Sequence, residues 1–472
     1  MNIVGEINGL YTDYYELTMS QGYFLNGKGR DRAVFDYVFR ENPFDGGYVI
    51  FAGLDNFLAA LGRFSYQAEE LEYLREQGFD KEFLSFLKDF RFQGAIHSVC
   101  EGEVVFPLEP LMRVEGTVVE CQLVETLLLN FINFESLIAT KASRLRRVAG
   151  TKTVSDFGLR RAQGLGGLQA SRAAIIGGVD LTSNVLAGQH FGLGVTGTQA
   201  HSWVQSFDSE LAAFRAYAGA YPDKTVLLVD TYDTLQSGVP HAIQVGRELA
   251  EKGHVLAAIR LDSGDLAYLS KQARKMLDEA GLTETKILVS DQLDEYLIRS
   301  LNEQQAPVDG FGVGTELVTG RETAALDGVY KLADYQGQPT LKLSNTLAKT
   351  SLPGRKTTRR FFNGEGLFYG DCVSLVSEKD CPSMQHPSER DKTCSLSGRT
   401  PEILMNPVME KGVPVSPPSG IKAIRQYCYQ RLGLLPEEHK RFEMPHIYKV
   451  GLSPDLVRMR DRLAASLKEQ FS

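Results

Sequence analysis

Leu256-Ala-Ala-Ile-Arg-Leu-Asp-Ser-Gly-Asp-Leu266 decides how this chain reads. An apolar run stops abruptly at Arg260, Asp262, Ser263, Gly264 and Asp265. Continuous apolar runs of this length suit strands buried on both faces, as in parallel sheets. The carboxyl ends of such strands form the rim on which α/β proteins build their sites. A cation, two carboxylates, a hydroxyl and a glycine at that rim suit a sugar phosphate and its metal ion. The plain structural alternative is a strand end followed by helix caps.

The pattern recurs at the spacing of βα units. Candidate strand ends are Thr153-Val-Ser-Asp-Phe-Gly158, Ala174-Ile-Ile-Gly-Gly-Val-Asp180 and Gly194-Val-Thr-Gly-Thr198. Val226-Leu-Leu-Val-Asp-Thr-Tyr-Asp233, Ala257-Ala-Ile-Arg-Leu-Asp262, Ile287-Leu-Val-Ser-Asp291 and Gly310-Phe-Gly-Val-Gly-Thr315 complete the series. Residues 209–217 and 243–252 carry apolar residues at helical steps between them. The fold expected is α/β: an irregular (β/α) barrel with an N-terminal mixed α/β domain and a C-terminal extension. The barrel spans 141–350, the N-terminal domain 1–140, and a basic loop with the C-terminal region 351–472, packing on the N-terminal domain. An eighth strand is not evident. Tyr330-Lys-Leu-Ala-Asp334 and Thr340-Leu-Lys-Leu-Ser344 read as a hairpin across Gln336-Gly337, so closure is irregular.

Outside the barrel, 32–39 alternates like a strand and 101–110 reads as strand and turn. A helix opens near Thr12 or Asp13. Residues 349–360 form a basic loop, 377–399 a loop-like stretch, and Ser453-Pro454 starts a final helix.

Composition fits an ordinary globular protein of 472 residues, 43% hydrophobic and 23% charged. A net charge of −8 argues against nucleic acid as a partner, since phosphate backbones need a basic face. The N-terminus lacks a basic segment followed by an apolar core, and residues 121–140 hold too many polar groups to cross a bilayer. No membrane partner and a cytoplasmic location are expected. The six cysteines form no C-x-x-C pair and read as reduced thiols. Cys372, Cys381 and Cys394 flank His386, but their spacings differ from common zinc knuckles.

Four constellations carry chemistry. In Gly197-Thr-Gln-Ala-His-Ser-Trp203, His201 is a candidate to accept a γ-phosphate on its imidazole; the alternative is a packed or capping histidine. Gly312, Gly314 and Thr315 follow the seventh strand, where barrels commonly bind phosphate; the alternative is a turn that needs positive φ. Arg160 and Arg161 offer bidentate clamps for carboxylate or diphosphate, against a surface ion pair and a solvated side chain. Asp230 and Asp233 could orient a histidine or hold Mg²⁺, against plain capping work. His241, His254 and His446 read as structural.

Taken together, these segments resemble the nicotinate phosphoribosyltransferases, which are type II phosphoribosyltransferases. The matching stretches are Leu10-Tyr-Thr-Asp-Tyr-Tyr-Glu-Leu-Thr-Met19, Phe157-Gly-Leu-Arg-Arg-Ala-Gln-Gly164, Thr182-Ser-Asn-Val-Leu-Ala-Gly188 and Gly197-Thr-Gln-Ala-His-Ser202. Val229-Asp-Thr-Tyr-Asp-Thr-Leu235, Ile259-Arg-Leu-Asp-Ser-Gly-Asp265 and Gly310-Phe-Gly-Val-Gly-Thr315 follow in family order. The resemblance implies that nicotinate attacks C1 of 5-phosphoribosyl-1-diphosphate. Nicotinate mononucleotide and diphosphate form, in NAD salvage. Mg²⁺ is the implied cofactor and ATP the co-substrate, coupled through a phosphohistidine at His201.

The residue roles it implies are these. Tyr15 stacks on the pyridine ring from the neighbouring subunit of a homodimer. Arg260, with Arg160 or Arg161 or both, holds the nicotinate carboxylate and the diphosphate. Asp262, with Ser263 beside it, binds the ribose; Gly312, Gly314 and Thr315 cradle the 5-phosphate; Asp230 is the carboxylate near His201. The arginine-rich rim weighs against a nicotinamide enzyme, and His201 against a quinolinate enzyme. A phosphosugar-binding regulator without turnover is the alternative from another class. Intact His201, Arg260 and Asp262 weigh against it.

Overall fold

The computed structural model describes residues 7–343 and 351–470. It forms two compact units, one of residues 1–140 and 325–472, the other of residues 141–324.

The second unit carries six parallel strands. Their spatial order is Leu181–Thr182, Thr153–Asp156, Gly310–Val313, Lys286–Ser290, Ala258–Leu261 and Val226–Leu228. Helices such as Val239–Glu251 and Leu266–Glu279 return the chain between them. These strands are short and almost wholly buried, as expected for a sheet covered on both faces. Closure is irregular. Residues 194–198 contribute a single bridge, Val195 to Thr182. Beyond it, side chains join this segment to the far strands: Arg260 donates to Thr198 Oγ1 and, at 3.4 Å, to the Gln199 carbonyl.

One expected strand is a helix. Ala174-Ile-Ile ends the helix Gly166–Ile176, and the strand is only Leu181–Thr182. Residues 173–176 are buried on every side, so no helical period marks the run and it mimics a strand.

The first unit holds a seven-stranded sheet in which Arg32–Phe39 pairs antiparallel with Met112–Thr117 on one side and Gly328–Tyr335 on the other. The hairpin at Gln336–Gly337 therefore extends this sheet, not the barrel; Ser344 lies outside the described residues. The first helix is Tyr14–Leu25. Asp13 occupies its N-cap without capping by its side chain, which instead accepts from Thr126 Oγ1 at 2.8 Å. The final helix, Pro454–Gln470, has Ser453 Oγ accepting from Leu456 N.

The basic stretch is a loop only as far as Arg355: Lys349 and Thr350 lie outside the described residues, and Lys356–Phe362 is a strand buried along almost its whole length. Its cations turn inward because each has buried partners. Lys356 Nζ lies 2.7 Å from Asp36, and Arg360 bonds Asp371, Glu103 at 2.6 Å and the Val104 carbonyl. Burial pushes the Asp36 carboxyl up and the Lys356 ammonium down, each shift opposed by the other charge.

The sulfurs of Cys372 and Cys381 lie side by side, with Cα atoms 7.4 Å apart, wider than a disulfide usually spans. The chain doubles back within nine residues and brings both sulfurs into one small core with Phe361 and Met384. Cys394 instead contacts the Tyr369 hydroxyl at 3.3 Å. Among the described residues no group of three or more His, Cys, Asp or Glu is placed to hold a metal ion.

The segment Val118–Ala149 is, by length and composition alone, apolar enough to cross a membrane, but it is largely buried within the protein, as residues 121–140 read. Two-thirds of its apolar window is buried, and its polar groups have internal partners, as in a core helix. Asn133 accepts from the Tyr37 hydroxyl at 2.8 Å, and Glu135 from Asn56 at 2.6 Å. Its latter part carries Lys141 and Arg144, which both grip the buried Glu295 within the second unit.

Candidate active site

The strand ends of the second unit surround a cavity of 540 Å³. Arg160, Arg161, His201, Arg260, Asp262, Gly312, Gly314 and Thr315 all line it. Every one of them was expected at a strand end, and parallel strands bring such ends to one rim.

At its centre Asp262 organises the charges. Its Oδ1 accepts from Ser290 Oγ and lies 3.3 Å from Arg260 Nη2; its Oδ2 lies 3.9 Å from His201 Nε2. Arg260 is held from the other side by Thr198, and Phe157 lies under its guanidinium at 6.0 Å. His201 Nδ1 meets Thr231 Oγ1 at 3.2 Å, so Nε2 faces the carboxylate. His201 opens a helix of only five residues.

The carboxylate that comes within 4 Å of the His201 ring is Asp262, and Asp230 stands one residue before Thr231, which meets the same ring. Asp230 Oδ2 accepts from the Asp262 backbone N–H at 2.8 Å and from Ser263 Oγ at 2.7 Å. Asp230 and Ser263 do not line the cavity; they fix the loop that presents Asp262. Asp233 caps the following turn through Leu235 and Gln236. Asp156 is likewise internal, accepting from Gly158 N, Ser171 and Thr182.

The glycines have a steric reason. None of Gly310, Gly312 and Gly314 has positive φ. A Cβ on Gly312 would lie 2.4 Å from the Phe157 ring, and one on Gly310 2.9 Å from Leu288. Gly312 lets Phe157 close on the cavity wall where it supports Arg260. Arg160 and Arg161 lie exposed in the short turn Leu159–Arg161.

Tyr15 belongs to the other unit, on the first helix, 45% exposed. Burial and the neighbouring Glu125 carboxylate push its hydroxyl pKa up. Beneath it Glu16 is fully buried, and burial raises its carboxyl to about 7 despite hydrogen bonds from Thr12 and Thr126.

The sequence reading missed Thr198, Gln199, Thr231 and Ser290, whose importance lies in partners on other strands. His241 and His254 are satisfied structurally, by Glu210 at 2.8 Å and Asp223 at 2.7 Å. The backbone carbonyl of His446 takes the ring of His439.

Family comparison closes the question of kinship. Residues 10–133 match the nicotinate phosphoribosyltransferase N-terminal domain, 152–366 the nicotinate phosphoribosyltransferase family and 355–460 its C-terminal domain. The chain belongs to the nicotinate phosphoribosyltransferase family. The family is one of enzymes, and its members match this chain nearly end to end. Nicotinate phosphoribosyltransferase of Bacillus subtilis is 42% identical over 457 residues, covering 94% of this chain and 93% of that protein. The crystal structure of human nicotinic acid phosphoribosyltransferase superposes with a TM-score of 0.87 at 31% identity, covering 96% of this chain and 99% of that one. A nicotinate-nucleotide pyrophosphorylase from Pyrococcus furiosus shares the fold, with a TM-score of 0.71 at 23% identity over 90% and 95% of the two chains.

Proposed function

We propose that this chain joins nicotinate to 5-phosphoribosyl-1-diphosphate, releasing diphosphate and nicotinate mononucleotide for NAD salvage, with ATP hydrolysed to ADP and phosphate in the same cycle. The observation that carries this reading is the meeting of His201, Arg260 and Asp262 in one cavity edged by Arg160, Arg161 and the glycine strand.

The nicotinate ring nitrogen forms a bond to C1 as the C1–O bond to diphosphate breaks. Positive charge develops at the ribose and negative charge on the leaving oxygens. Asp262 meets the first; Arg260 with Arg160 or Arg161 meets the second and the nicotinate carboxylate. Thr315 and the backbone N–H groups near Gly312 and Gly314 take the 5-phosphate. Asp230 and Ser263 act through the loop they hold.

With Nδ1–H donating to Thr231, the His201 lone pair sits at Nε2. Nε2 attacks the γ-phosphorus as its bond to ADP breaks, and water later cleaves the phosphohistidine. Arg260, beside Asp262, offsets the carboxylate that the incoming phosphate faces. Mg²⁺ would be held chiefly by the substrates' phosphate oxygens and water, with Asp262 the carboxylate facing the same cavity, and would offset charge on the leaving diphosphate. The described residues offer no three-carboxylate cage for a resident ion.

This reading also makes the protein a cytoplasmic homodimer in which Tyr15 stacks on the pyridine of the neighbouring subunit's site. Tyr15 is exposed enough to be offered in that way.

Incubation with γ-labelled ATP tests the coupling. An acid-labile, base-stable phosphoprotein is expected, absent in His201→Ala. Label that persists in the variant would remove His201 from the reaction.

A further inference from the structure

Gln199 is 5% exposed, lines the cavity, and neither Nε2 nor Oε1 has a hydrogen-bond partner. Buried amides are nearly always paired, because desolvating a donor and an acceptor without replacement is costly. Its backbone is held in place: the Gln199 carbonyl accepts from Arg260, and Thr198 beside it takes the same guanidinium. An anchored, buried and empty-handed amide on a cavity wall is a recognition group awaiting its ligand.

From this geometry, and resting on the function proposed above, we infer that Gln199 reads a ribose hydroxyl of the phosphoribosyl donor. The chemistry of the amide selects that group. Nicotinate offers a carboxylate and a ring nitrogen, and the diphosphate and 5-phosphate offer oxygens; all are acceptors. They can satisfy Nε2 but leave Oε1 orphaned. Only a group that both donates and accepts satisfies the two ends, and the ribose hydroxyls do so. ATP also carries hydroxyls, but a γ-phosphate at His201, two residues away, places its nucleoside a triphosphate's length off. Asp262 can only accept when ionised, so it cannot supply the donor that Gln199 adds.

One internal alternative exists. Arg260 Nε is also buried and unpartnered, and a rotated Gln199 Oε1 that took it would leave only Nε2 for the ligand. Gln199 would then read an acceptor, the nicotinate carboxylate.

Kinetics of Gln199→Met decide between them, since methionine keeps the length and removes both polar ends. The expected result is a donor KM raised at least tenfold, with the KM values for nicotinate and ATP within twofold. The ligand-free melting temperature should equal or exceed wild type, because two unsatisfied groups are gone, while the donor-induced thermal shift shrinks. As inhibitors, the 2-deoxy and 3-deoxy donor analogues should bind wild type more weakly than the intact donor. In Gln199→Met one of those two penalties should vanish. An unchanged donor KM in a folded variant, or a rise confined to nicotinate, overturns the inference. Wild-type protein that stabilises with donor but makes no mononucleotide from nicotinate would overturn the functional reading instead. The donor-induced shift in the variant would still judge Gln199.

Discussion

His201 has a hydroxyl on one ring nitrogen and a carboxylate 3.9 Å from the other, which suits a nucleophile more than a structural histidine. His201→Ala should lose ATP hydrolysis while retaining slower mononucleotide synthesis, because the imidazole forms no glycosidic bond. Unchanged ATP turnover in that variant would contradict this. Asp262→Asn keeps the shape and removes the charge; a fall of about 10²-fold in kcat, larger than any change in KM, is expected if the carboxylate acts on the transition state. Gly312→Ala sets a methyl against Phe157 and should cost about 1–3 kcal/mol, readable by urea unfolding. These residues were legible in the sequence because a polar cluster directly after an apolar run marks a strand end. Thr231, Ser290 and Gln199 were not. Their meaning lies in hydrogen bonds or missing bonds across strands, and no local period records those. The bonds from Asp230 to the Asp262 backbone and to Ser263 were not legible for the same reason.

Among the elements, the strand Lys356–Phe362 shows where charge misleads. Three cations in five residues signal solvent, yet each is buried among acids or carbonyls. Arg360→Leu would leave Asp371 buried without its cation, while Glu103 keeps Arg431, and should cost about 3–5 kcal/mol in equilibrium unfolding. A loss below 1 kcal/mol would mean the pair is not formed in solution. The helix Tyr14–Leu25 carries a pH-dependent cost. Glu16, raised to about 7 when folded, binds more protons folded than unfolded between the ordinary carboxylate range and neutrality. Stability therefore falls as pH rises through that window, by about 3 kcal/mol in all. Glu16→Gln should flatten the slope, stabilising the protein at pH 8 and changing little at pH 4; an unaltered slope would clear Glu16 of the effect. Element type was legible wherever one face is wet, as in the final helix, and lost where burial is complete, as in residues 173–176.

For the whole molecule, the chain leaves its first unit after residue 140, builds the barrel, and returns at residue 325. The barrel's periodic strand ends announced themselves, whereas nothing local in residues 328–339 says which sheet they join. If Tyr15 completes a neighbour's site, mixed dimers of Tyr15→Ala and His201→Ala should recover about a quarter of wild-type ATP-stimulated synthesis at low nicotinate, since half the dimers hold one intact site. Activity no greater than the parents' mean would place Tyr15 in its own subunit's chemistry or outside it. The central claim is most directly tested by mononucleotide formation from the phosphoribosyl donor and Mg²⁺, with nicotinate and nicotinamide assayed separately, each with and without ATP. Turnover of nicotinate, accelerated by ATP, is predicted; turnover of nicotinamide alone, or of neither, would contradict it.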